Sequence, residues 1–120
     1  MSTMPMFASD RMFEVWRYTV SHRQLLIRSN KGNASATRLE ILFKNVAYMA
    51  LPPVMNGLRI SACKAGEELP DAARVVGISK PWYRIESDGL VGYVAAGAVV
   101  TNEDELDYEE PSSILSGPML

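Results

Sequence analysis

At 120 residues, with 48% hydrophobic side chains and a formal charge of −2, the chain is sized for one folded domain with one core, and it is too apolar to stay disordered. The charge is divided: all twelve Lys and Arg precede residue 101 and so do eight of the fourteen acids, which leaves +4 on the first hundred residues and −6 on the last twenty. The single cysteine, Cys63, excludes an internal disulfide, and the longest uncharged apolar stretch, Leu90 to Val100, is too short to cross a bilayer as a helix.

The start, Met1 to Phe7, has no early Lys or Arg, is interrupted by Pro5 and runs into Ser9-Asp10-Arg11. That is not the pattern of a secretory leader, and a cytoplasmic location is expected. Met12 to Val20 is rich in aromatic and β-branched residues and reads as a strand. A turn over Ser21 to Gln24 joins it to a second strand, Gln24 to Ser29, and Asn30 to Ala36 has the composition of a loop. Arg38 to Lys44 alternates, with Leu39, Ile41 and Phe43 on one face and Arg38, Glu40 and Lys44 on the other, which predicts a half-buried strand.

Asn45 marks a bend, Val46 to Leu51 continues as strand, and Pro52-Pro53 ends it. Asn56-Gly57 is a strong turn signal, and it predicts a hairpin pairing Val46–Leu51 with Leu58–Ala62. Lys64 to Val76 is the one helical candidate, with Pro70 in a first turn and Gly77 as its stop. A last hairpin follows: Trp82 to Ser87, a type I′ turn at Asp88-Gly89, and a return strand from Leu90 to Thr101. Gly92 and Gly97 inside that return strand point to bulges or close packing. The expected fold is mostly β: a compact antiparallel barrel or strongly bent sheet of six or seven strands with at most one short helix. Residues 1–100 form this β domain after a short flexible start, and residues 101–120 form an acidic, mobile tail.

Chemistry is sparse. His22 is the only histidine and Cys63 the only thiol, and nothing in the sequence brings them together as a nucleophile pair. Two such ligands do not complete a zinc site, the tail acids lack EF-hand spacing, and no phosphate-binding or nucleophile-elbow motif occurs. No catalytic residue, metal or cofactor is therefore assigned. Arg17, Tyr18, Arg23, Arg28 and Lys31 place bases beside aromatics around the first hairpin, but a pI near 5.4 argues against nucleic acid as the partner. The candidate binding residues are Trp16, Arg17, Tyr18, His22, Arg23, Arg28, Trp82 and Tyr83. Aromatic strands in so small a chain also suggest a homodimer covering a strand edge.

Trp82-Tyr83-Arg84-Ile85, Asp88-Gly89 and Gly92-Tyr93-Val94 together resemble the end of a bacterial SH3-like domain, and Leu26-Ile27-Arg28-Ser29 resembles that family's opening strand. The resemblance covers about a quarter of the chain, implies hairpin geometry and a lean toward a barrel, and carries no ligand residues. The whole chain is similar to small bacterial proteins of unknown function with a Trp-x-Tyr strand (Trp16-Arg17-Tyr18), a Ser-His turn (Ser21-His22) and a Gly-Tyr-Val ending. The first functional expectation is a non-enzymatic protein-interaction or binding module. The alternatives are a small-molecule-binding β-barrel, which needs an apolar cavity with convergent polar groups, and an enzyme using His22 with a carboxylate, which needs His22 in a cleft.

Overall fold

The computed structural model describes residues 6–32, 35–64, 69–71, 80–107 and 109–114. Eight strands form one antiparallel sheet: β1 (Phe7–Thr19), β2 (Gln24–Ser29), β3 (Arg38–Lys44), β4 (Tyr48–Ala50), β5 (Val54–Ala62), β6 (Trp82–Ser87), β7 (Leu90–Ala95) and β8 (Ala98–Asp104). Their spatial order is β4-β7-β6-β5-β1-β2-β3-β8, so the sheet has two edges and is not closed into a barrel. The count exceeds the six or seven expected because the single return strand predicted for Leu90–Thr101 is two strands. They part at Ala96-Gly97, and β7 joins β6 while β8 crosses to the opposite edge beside β3. Among the described residues no helix is long and apolar enough to cross a membrane. The helix expected over Lys64–Val76 falls mostly outside the described residues.

β1 explains the shape. Its first half, Phe7 to Glu14, pairs with β5, and its second half, Glu14 to Thr19, pairs with β2. Register irregularities fall between Ser9 and Met12 and between Val15 and Arg17, and such sites bend a strand and raise its twist. The sheet therefore folds over along β1. Phe13, Leu25, Ile27, Ile41 and Phe43 from one half meet Met55, Leu58, Ile60, Tyr83, Ile85 and Val94 from the other. The Phe43 and Tyr83 rings pack edge-on at 5.7 Å although β3 and β6 are separated by three strands in the sheet. Only a sheet folded back on itself permits that contact.

Two predicted turn and pairing assignments are corrected. Asn56-Gly57 is no hairpin turn: both residues lie inside β5, where Gly57 (φ 76°) faces the irregularity of β1. The tolerance of positive φ that suggested a turn serves a bent strand instead. Val46–Leu51 accordingly does not pair with Leu58–Ala62; β4 pairs with β7, and β5 pairs with β1 and β6. The last hairpin stands as expected, with Asp88 (φ 47°) and Gly89 (φ 80°) in the conformation a type I′ turn requires.

β3 is a further correction. It is not half-buried, because Arg38, Glu40 and Leu42 on its outer side are each 0% exposed, as are Ile41 and Phe43 on its inner side. The last strand, β8, continues past residue 100 through Asp104.

Candidate peptide-docking face

Among the described residues, the outer face of β2, β3 and β8 gathers buried charged side chains into one connected set. Strand pairing sets Arg28 of β2 opposite Glu40 of β3, and Arg38 of β3 opposite Asp104 of β8. Period-two alternation then keeps Arg38, Glu40 and Leu42 on one side. Glu40 Oε2 accepts from Arg28 Nε at 2.9 Å and Nη2 at 2.8 Å, and both side chains are buried. Arg38 grips Asp104 with two parallel bonds of 3.0 and 2.9 Å. Two guanidiniums and two carboxylates thus balance each other, which is what permits charge to sit out of water.

The segment that follows β8 closes over this face. Arg38 Nη1 donates to the carbonyls of Asp107 (3.2 Å) and Glu110 (2.9 Å), and Nη2 donates to that of Pro111 (3.1 Å). Ser112 Oγ donates to Glu40 Oε1 at 2.9 Å, and the Ser113 N–H donates to the same oxygen at 3.3 Å. Ser113 Oγ donates to Asp104 Oδ2 at 2.6 Å, and the Leu106 N–H donates to Asp104 Oδ1 at 3.0 Å. Burial pushes the Asp104 carboxyl up. The hydrogen bonds from Arg38, Ser113 and Leu106, with the positive charge of Arg38, outweigh that and hold it below its ordinary value of 3.8. At the near end, Lys31 Nζ donates to the Glu105 carbonyl at 2.8 Å and pairs with the Asp107 carboxylate at 3.2 Å.

Apart from the exposed Lys31–Asp107 pair, the segment is held through its main chain and its serine hydroxyls. Its acids Glu105, Asp107, Glu109 and Glu110 stay exposed. Arg11 supports the same end of the sheet: half-buried at the β1 irregularity, it donates to Ser29 Oγ (3.0 Å), Thr37 Oγ1 (3.1 Å) and the carbonyl of Ser29 (3.2 Å).

The eight candidate binding residues are split among three places. Trp16 and Arg28 come together at this outer face, with the guanidinium 4.5 Å from the ring centroid, and Arg17 lies exposed beside them. His22 and Arg23 are exposed in the β1–β2 turn, and Tyr18 packs against the core. Trp82 and Tyr83 are buried in β6: Tyr83 belongs to the core, and Trp82 lies against Tyr48 at 5.3 Å. β6 is separated from β2 by β5 and β1, so these aromatics and the first-hairpin bases do not form one surface. Arg28 and Lys31, two of the bases set beside aromatics in the sequence, are engaged with Glu40 and Asp107.

Sequence reasoning missed Arg38, Glu40, Asp104, Ser112 and Ser113. A signal for part of the set was present, since Arg38 and Glu40 share one face of an alternating strand. Their partners lie 66 to 73 residues away and are invisible to local pattern. The other chemistries gain little from the geometry. His22 follows the C-terminal end of β1, whereas Cys63 follows Ile60, which pairs with Phe7 at the other end. An apolar crevice of about 250 Å³ opens between Val15, Leu25, Met49, Ala50, Leu51 and Pro53. Its lining has no polar side chain of the kind that orients a small ligand. The chain matches no family model, no curated protein and no solved structure.

Proposed function

We propose that the chain is a non-enzymatic protein-interaction module that binds an extended peptide segment on the outer face of β2, β3 and β8. The observation that carries this reading is the way Asp107, Glu110, Pro111, Ser112 and Ser113 are held: three main-chain carbonyls on Arg38, and a serine hydroxyl and an amide on Glu40. Such bonds recognise backbone direction and small hydroxyls, with little demand on the other side chains, so the face accepts a class of segments. The fitting class is extended, with carbonyls placed for Arg38 and a Ser or Thr placed for Glu40. Exposed acids in such a segment are tolerated, since the chain's own acids face water.

The test uses the chain truncated after Asp104 and a synthetic peptide of residues 105–120, after circular dichroism has shown that the truncated chain keeps its β signature. Calorimetry is expected to give a saturable one-to-one complex that Arg38→Ala weakens at least tenfold. A folded truncated chain that takes up no peptide at millimolar concentration removes the reading.

A further inference from the structure

We infer that β8 is a pairing edge, and that a second copy of this chain adds its own β8 to it in antiparallel fashion to make one sheet continuous through two subunits. The two edges of the sheet are treated differently. β4 is three residues long, is followed at once by Leu51-Pro52-Pro53, and is flanked by the Tyr48–Trp82 ring contact. A short strand stopped by proline is a blunted edge. β8 is seven residues long and contains no proline, lysine or arginine. Its register with β3 runs unbroken from Ala98 to Asp104. Among the described residues it pairs with β3 alone, so its far side presents a row of unpaired N–H and C=O groups.

Charge is the usual guard of such an edge, and here both acids are bonded within their own chain, although Glu103 stays exposed. Glu103 accepts from the Thr37 hydroxyl at 2.6 Å, and Asp104 is held by Arg38 and Ser113. The side-chain rows support pairing as well. Leu26, Leu42 and Val100 lie opposite one another across β2, β3 and β8; Leu26 and Leu42 are buried, and Val100 ends the row 36% exposed. A second copy would cover Val100 with its own strand.

The strand is also compatible with itself. With the two-fold axis at Thr101, each Thr101 faces its counterpart, Val100 faces the second copy's Asn102, and Val99 faces its Glu103. Ala98 then faces Asp104, so no acid lies opposite an acid. Opposed threonines stabilise a cross-strand pair, and like charges across it would not. The acidic segments leave from opposite ends of this contact. A two-fold contact of this kind is closed, so it stops at a dimer and does not propagate into a fibre.

The experiment is sedimentation velocity on the full chain from 1 μM to about 500 μM, repeated for Val100→Lys, Val100→Pro and Thr101→Pro. The wild-type chain should pass from monomer to dimer within that range. Val100→Lys, which sets two lysines near the axis without touching the β3 ladder, should raise the dissociation constant at least tenfold with an unchanged circular-dichroism spectrum. Neighbouring residues send their N–H groups to opposite edges of a strand. One proline should therefore disturb the β3 pairing and lower the melting temperature, and the other should leave the fold intact and yield a monomer. A wild-type chain that stays monomeric throughout overturns the inference. So does a dimer whose dissociation constant is unmoved by Val100→Lys and by whichever proline variant stays folded.

Discussion

The guanidinium of Arg38 meets a carboxylate on one side and three carbonyls on the other, and its removal strands groups of opposite kinds. Without it Asp104 loses its strongest partner, and the carbonyls of Asp107, Glu110 and Pro111 lose their shared donor. Asp104 is only part-buried, so water can replace part of what it loses, the more so once the covering segment is released. Arg38→Ala is therefore expected to free the segment before it unfolds the sheet. Amide hydrogen exchange should show at least a tenfold loss of protection at Leu106, Glu110, Ser113 and Ile114, with little change in β1, β2 and β5. Acid should act at the same point. Because the Asp104 carboxyl is held below its unfolded value, its contribution is complete above that value and is lost as pH falls through the lower, folded one. Protection of the segment should be level down to about pH 4.5 and fall below about pH 4. Asp104→Asn should abolish that step, and an acid profile identical to the wild type would place it on another carboxyl.

Among the elements, β7 shows how one small residue decides where two strands lie. A Cβ built on Gly92 would stand 2.3 Å from the Ala50 carbonyl oxygen, which belongs to backbone and has no rotamer by which to withdraw. Gly92→Ala must push β4 away from β7, and a loss of about 1–3 kcal/mol is expected, read as a lower denaturant midpoint at unchanged slope. The sequence marked Gly92 for close packing but did not indicate against what. The same limit applies to Asn56-Gly57. Local pattern shows that a residue tolerates positive φ, and only the strand opposite decides whether that becomes a turn or a bend. β2, the first hairpin and the Asp88-Gly89 turn were legible because their determinants lie within a few residues of one another. β3 was legible as a strand through its alternation. Its second buried side was not, since what meets Arg38 and Glu40 comes from residues 104–113.

At the scale of the molecule, mostly antiparallel β structure followed from composition and alternation. Strand order did not, because it depends on β1 dividing its two halves between β5 and β2, and on the chain passing at Gly97 from β7, inside β4, to the opposite edge at β8. The Phe43–Tyr83 contact reports directly on the folded-over form. A double-mutant cycle with Phe43→Leu and Tyr83→Leu should give a coupling of about 0.5–1.5 kcal/mol in urea unfolding. Additive effects would mean that the two halves of the sheet do not close on each other in solution. The polar outer face of β2, β3 and β8 was the least legible feature, since it joins an early strand to the far end of the chain.

That separation sets a timetable for synthesis. Arg38 is made 66 residues before Asp104, and at roughly 5–20 residues per second the ribosome needs on the order of 3–13 s to deliver the partner. During that interval β3 has β2 on one flank and nothing on the other, with Ile41, Leu42 and Phe43 at the open margin. The nascent protein thus carries a sticky, half-dressed strand for seconds. Its hour of greatest exposure to chaperones and to misassembly comes before its last twenty residues exist.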